Sequence, residues 1–162
     1  MRFVEVTSPP NPLVRDALAI KRRRCCHGGG DRLVEGPHLV EAAVLSGLRP
    51  PVVFFTEAFR SRGGGRLLRR IEAAATGVRL VMVPEGLLGR LADTETPQGV
   101  VAVVPIPRRR LEDIRPAGTA LLVVSDGIQD PGNVGTIIRA ADAAGSDGMV
   151  VLPGCCDPFE PK

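Results

Sequence analysis

Between Ser125 and Gly145 the chain reads SDGIQDPGNVGTIIRAADAAG. Its chemically capable residues are Asp126, Asp130, Asn133 and Arg139, set among small and apolar neighbours. Asp-Pro-Gly-Asn after an apolar run, then one arginine on an otherwise apolar helix, is more than a connection requires. The planar guanidinium fork suits bidentate contact with a phosphate. Asn133 reads either as a helix cap or as a ligand contact. Competing motifs are absent. GNVG lacks the GxGxxG spacing, neither GGG run precedes Lys-Ser/Thr, and no serine sits in GxSxG.

The elements that must position these residues are legible around them. TALLVVSDG predicts a buried strand ending near Val124, NVGTIIRAADAAG a helix starting near Val134, and GMVVL a second strand. That is a parallel β-α-β unit, with the candidate residues at the carboxyl end of its first strand, where sites of open α/β sheets gather. At 100° per residue, Val134, Ile137, Ile138, Ala141 and Ala144 share one face and Arg139 lies opposite. Arg139 is then either a site residue or a solvated partner of Asp142, three residues on. Pro131-Gly132 supply a tight turn, and Gly135 permits close approach of backbone or ligand.

Upstream, RLVE, PVVFF, VRLVMV and GVVAVV read as strands, and GPHLVEAAVLSG, GRLLRRIEAAATG and PEGLLGRLAD as helices. Their alternation predicts a layered α/β domain over residues 30–105. NPLVRDALAIKRRR predicts an N-terminal helix capped by Asn11, so residues 1–29 form a basic helical segment. The proline- and arginine-rich stretch PIPRRRLEDIRPAG has no strand pattern, and residues 106–118 are read as a linker. Two strands and one helix cannot close a core, so residues 119–162 are expected to be the first part of a larger domain.

Composition narrows the classes. Apolar residues make up 44% of 162, enough for a packed core. No apolar run reaches the roughly 18 residues that span a bilayer, and the N-terminus lacks a signal-peptide core, so a cytoplasmic chain is expected. The four cysteines form two adjacent pairs, Cys25-Cys26 and Cys155-Cys156, without zinc-site spacing, so no metal and free thiols are expected. Nineteen of 21 basic residues are arginine. Residues 1–105 carry 15 basic against 10 acidic side chains, and residues 119–162 carry two against six. The front of the chain could therefore face a polyanion. Arg22, Arg23 and Arg24 at a helix end, and Arg108, Arg109 and Arg110 in the linker, are candidate phosphate contacts. Considered alone, the Arg22–Arg24 run reads slightly better as a solvated helix end.

The Asp126–Gly145 stretch resembles the first signature motif of the SpoU (TrmH-type) RNA ribose 2′-O-methyltransferases, in the SPOUT superfamily. The matching residues are Asp126, Asp130-Pro131, Asn133, Gly135, Ile138, Arg139, Ala141 and Gly145. TSPPNPLVRDALAIKRRR resembles the family's N-terminal segment, and LVEGPHLVEAAV and TPQGVVAVV resemble its accessory domain. The resemblance implies a ribosomal-protein-like α/β/α domain that binds the RNA substrate, followed by the first β-α-β unit of a trefoil-knot domain. It implies S-adenosylmethionine as methyl donor. It places Asn133 and Arg139 on the substrate side of the catalytic site. A guanidinium stays protonated at neutral pH, so Arg139 would hold the target phosphate and favour the developing 2′-alkoxide by charge. Asn133 would position the nucleotide or order the loop. The family's second and third motifs lie further along than Lys162. The expectation is therefore a chain that lacks most of the donor pocket, binds S-adenosylmethionine weakly and is inactive by itself. The family's homodimer uses those later helices, so no dimer is expected. The alternative is a non-catalytic RNA-binding module. A plain α/β domain with solvated arginines explains the composition but not the motif.

Overall fold

The computed structural model describes residues 1–22, 30–107 and 109–159. In chain order its elements are β1 (Val4–Glu5), α1 (Pro12–Arg22), β2 (Gly30–Glu35), α2 (Pro37–Leu45), β3 (Val52–Phe55), α3 (Glu57–Phe59), α4 (Gly65–Ala74), β4 (Arg79–Met82), α5 (Glu85–Leu91), β5 (Val100–Ile106), β6 (Leu122–Ser125), α6 (Pro131–Ala143) and β7 (Gly148–Val151). A π-helical turn, Arg60–Gly64, joins α3 to α4, and a 3-10 turn covers Leu111–Asp113. None of the described helices is long and apolar enough to cross a membrane. The chain divides into two compact units on either side of Ile106.

In the first unit the strands order β1-β4-β3-β5-β2. β1, β4 and β3 run parallel, while β5 is antiparallel to both β3 and β2. β3 and β5 are apolar on both faces, as is most of β4, because helices cover both sides of the sheet. Val52, Phe54, Val81, Val101 and Val103 pack with Val14 and Ala17 of α1 and with Leu87, Leu88 and Leu91 of α5. The alternate positions, Val53, Phe55, Leu80, Val100, Ala102 and Val104, pack with Val40 of α2 and with Leu68 and Ile71 of α4. Side chains alternate along a strand, so one run such as VVFF feeds two cores. The result is the three-layer α/β/α arrangement that the resemblance implied.

The stretch before β2, set apart above as residues 1–29, contributes β1 and α1 to this unit. β1 pairs Val4 with Val81, and Val14 of α1 is completely buried. β1 has only two residues, too short to show a strand pattern of its own.

The second unit holds β6 and β7, parallel with Leu122 opposite Gly148 and Ser125 opposite Val151, connected through α6. This is the predicted β-α-β unit. Two details differ from the sequence reading. β5 extends through Pro105 and Ile106, into the stretch read as linker. Ile114 in the same stretch packs on the β6–β7 pair, so close that a Cβ added at Gly148 would lie 3.0 Å from its Cδ1. On α6, Val134 and Ala141 are buried, but Ile138 is 38% exposed, as is Leu122 on β6, and Val124 is 59% exposed. A two-stranded sheet is too narrow to cover the whole predicted apolar face.

Candidate active site at the carboxyl end of β6

β6 delivers the chain at Ser125, which is buried, and the loop Asp126–Asp130 turns it into α6. The loop is tied to the one that follows β7. Leu152 N–H donates to the Ser125 carbonyl at 2.9 Å, and Cys156 N–H donates to the Ile128 carbonyl at 2.9 Å. The Cys155 thiol accepts from Ile128 N–H at 3.2 Å and donates to the Ser125 carbonyl at 3.4 Å. The two strand ends therefore form one hydrogen-bonded platform beneath the first turn of α6.

α6 starts three residues earlier than the sequence suggested, with Pro131 as its first residue and Asp130 as its cap. Asp130 Oδ1 accepts from Asn133 N–H at 2.8 Å. The cap reading of Asn133 is thus corrected. Asn133 sits inside the first turn, its backbone is what is capped, and its side-chain amide is left for other work. Aspartate followed by proline explains the shift. The carboxylate satisfies an orphan N–H, and proline at the first helical position has no N–H to satisfy.

Arg139 lies on the exposed face of α6, as its angular position required. It does not pair with Asp142. Its Nη2 donates to Thr136 Oγ1 at 3.0 Å, and Thr136 Oγ1 donates to the Gly132 carbonyl at 2.8 Å. Helical side chains lean toward the N-terminus, so Arg139 reaches back one turn rather than forward to Asp142. Its Nη1 passes over Gly135, where an added Cβ would stand 3.4 Å away. Gly135 is therefore a bed for the guanidinium. Thr136 is the residue that the sequence reading missed. Its signal was a hydroxyl three residues before Arg139, one helical turn away. The stripe Gly132–Thr136–Arg139 thus brings a fixed cation toward the helix end that carries Asn133. This arrangement can hold an anion near the carboxyl end of β6 and position a polar group beside it.

The candidate phosphate contacts divide between the units. Arg23, Arg24 and Arg108 lie outside the described residues. Arg22 is exposed at the end of α1 in the first unit, and Arg109 and Arg110 are exposed in the second. Lys21, beside Arg22, has a structural role. Its ammonium donates to the Arg90 and Ala92 carbonyls at the end of α5 and pairs with Asp93 at 3.3 Å. Glu35, at the end of β2, accepts from Asp93 N–H at 2.8 Å, Thr94 N–H at 3.1 Å and the Thr94 hydroxyl. Partial burial acts to raise its carboxyl pKa. The Thr94 hydroxyl, the two backbone N–H groups and the charge of Lys21 outweigh that and hold it below the usual carboxylate range.

Comparison with known proteins agrees with this layout. Residues 11–102 match the family model described as the MRM3-like substrate binding domain, and residues 120–162 match the SpoU rRNA Methylase family. The chain is 34% identical over 158 residues to the 23S rRNA (guanosine(2553)-2′-O)-methyltransferase RlmP of Bacillus subtilis, covering 98% of this chain and 58% of that protein. It is 31% identical over 170 residues to the mitochondrial rRNA methyltransferase 3A of Danio rerio, covering all of this chain and 37% of that one. Among solved structures, an rRNA methyltransferase from Sinorhizobium meliloti superposes with TM-score 0.76 at 29% identity, over 98% of this chain and 58% of that one. An AdoMet-bound rRNA methyltransferase from Sinorhizobium meliloti superposes with TM-score 0.74 at 30% identity, over 96% of this chain and 56% of that one.

Proposed function

The chain belongs to the SpoU rRNA methylase family, and on that premise we propose that it serves the RNA side of ribose 2′-O-methyl transfer. The observation that carries this reading is the posture of Arg139, bedded on Gly135 and held by Thr136 at the carboxyl end of β6. In the proposed mechanism Arg139 grips the phosphate next to the target ribose. Its charge favours the negative charge that develops on the 2′-oxygen. Asn133, relieved of capping, positions the nucleotide. Arg22–Arg24 and Arg108–Arg110 add phosphate contacts without base selectivity. Ribosomal RNA is the substrate class, by analogy with the relatives, and a cytoplasmic site of action is proposed with it.

S-adenosylmethionine would supply the electrophilic methyl group. The described residues offer it two strand ends beside an open apolar surface, with Val124 59% and Leu152 36% exposed. We therefore infer that these 162 residues bind the donor weakly and do not methylate RNA unaided. Calorimetric titration with S-adenosylmethionine tests this. No stoichiometric binding is expected, and clear one-to-one binding would refute the inference. In a methylation-competent form containing this chain, Arg139→Ala should lower transfer by about 100-fold or more with an unchanged circular dichroism spectrum. Full activity in that variant would remove Arg139 from the mechanism. The positive balance of the first unit favours a second reading, a non-catalytic RNA-binding module. Salt-sensitive RNA binding, with no transfer even when the donor pocket is complete, would establish it.

A further inference from the structure

The strongest uncompensated charge in the first unit lies on the face of α4 and the turn before it. Arg62 is exposed on the kinked turn before α4, where Arg62 and Gly63 leave helical backbone geometry. Arg66 and Arg69 are exposed three residues apart on one side of α4. The opposite side carries Leu68 and Ile71 into the core. Carboxylates exist nearby, but each is engaged elsewhere. Glu57 accepts from Arg60 at 2.9 Å and from the Ser61 hydroxyl at 2.8 Å. Glu72 accepts from Arg2 N–H at 2.8 Å and faces the N-terminal amine at 3.4 Å. Glu41 of α2 pairs with Arg70. Among the described residues none is left for Arg62, Arg66 or Arg69.

The turn is packed in part despite three consecutive glycines. Gly64 lies against the Phe59 ring, where an added Cβ would come within 2.3 Å of Cε1. Phe59 N–H donates to Thr56 Oγ1 at 3.2 Å, and the Arg60 guanidinium covers the Phe3 ring at 5.2 Å. Arg62 projects from this turn, next to the packed Gly64. Arg69 leans back toward Gly65, within 3.8 Å of where a Cβ would be. Arg66 and Arg69 rise about 4.5 Å apart along the axis, and their long side chains give them reach over adjacent phosphates. No exposed aromatic ring interleaves them, so the stripe suits a phosphate backbone rather than stacked bases.

We propose that Arg62, Arg66 and Arg69 form a phosphate-binding stripe through which the first unit grips the backbone of its RNA. This rests on the RNA reading above but assigns the contact to residues other than Arg22–Arg24 and Arg108–Arg110. The test is fluorescence anisotropy of labelled, protein-stripped ribosomal RNA with the whole chain across a salt series. Arg62→Gln/Arg66→Gln/Arg69→Gln should weaken binding about tenfold or more near 0.1 M salt and reduce the log–log salt slope by about 2–3. A control with the same loss of charge, Arg49→Gln/Arg79→Gln/Arg90→Gln, should change both far less. The triple lysine variant at 62, 66 and 69 should retain most of the affinity. Equal losses in the two glutamine triples would mean diffuse charge and overturn the stripe. So would an unchanged slope in the first triple, with the RNA reading left intact. A wild-type chain that binds no RNA even at low salt would overturn the RNA reading and the stripe together.

Discussion

Arg139 is useful only if its guanidinium is aimed, and the aim comes from Thr136 and Gly135. An unrestrained arginine surrenders side-chain entropy whenever it grips a ligand. Here the hydroxyl of Thr136 fixes one Nη, while its own proton is committed to the Gly132 carbonyl. Replacing Thr136 by valine should keep the helix but release the guanidinium. In a methylation-competent form, transfer should fall up to about tenfold, the worth of one such hydrogen bond. Thr136→Ser should restore it, which a merely structural role for the methyl group would not allow. A valine variant with wild-type kinetics would sink this positioning role.

At the scale of elements, the turn after α5 is held from two sides. Lys21 of α1 covers the last carbonyls of α5, and Glu35 at the end of β2 receives the N–H groups of Asp93 and Thr94. That turn begins the segment leading to β5, where Thr56 N–H donates to the Gly99 carbonyl at 3.0 Å. Gly99 has φ +84°, and an added Cβ would lie 2.6 Å from the Phe59 Cβ, so only glycine fits. The Glu35 carboxyl is held below its unfolded value of 4.5, so its charged form stabilises the fold. That contribution is complete above pH 4.5 and is lost as pH falls through the lower folded value. Glu35→Gln should therefore cost about 1 kcal/mol at pH 7, limited by solvent screening. The gap to wild type should narrow as pH falls below 4.5 in urea melts read at each pH. A constant gap at all pH values would show that the carboxylate charge is not involved.

At the scale of the molecule, the two units differ in how completely they are packed. The first sandwiches its sheet between helices and buries Phe54, Phe55, Leu68 and Ile71 entirely. The second leaves Leu122, Val124, Ile138 and Leu152 at least 36% exposed around a two-stranded sheet. Exposed apolar side chains in this number mark surface available to a partner or an apolar ligand. The native chain should bind an apolar dye such as anilinonaphthalene sulfonate, and Val124→Thr with Ile138→Gln should reduce the signal by about half or more. Dye binding that is absent, or untouched by these substitutions, would show that the face is closed in solution.

Much of this was legible before any coordinates. The strands and helices between residues 30 and 105 follow from apolar periodicity and glycine punctuation, which report local backbone preference. The candidate site at the end of β6 was suggested by the resemblance of Asp126–Gly145 to the family's first motif, because Asn133 and Arg139 taken singly read as a helix cap and a solvated side chain. What the residues could not decide alone were matters of contact. Asp130 rather than Asn133 caps α6, because the cap depends on where the first helical turn closes. Arg139 turns to Thr136 rather than Asp142, because side-chain direction and not spacing selects between them. The two-residue β1 exists only because β4 offers it an edge. Sequence determined the elements and the kinds of chemistry available, whereas tertiary structure decided which polar groups were already engaged, since each depends on neighbours far away in the chain.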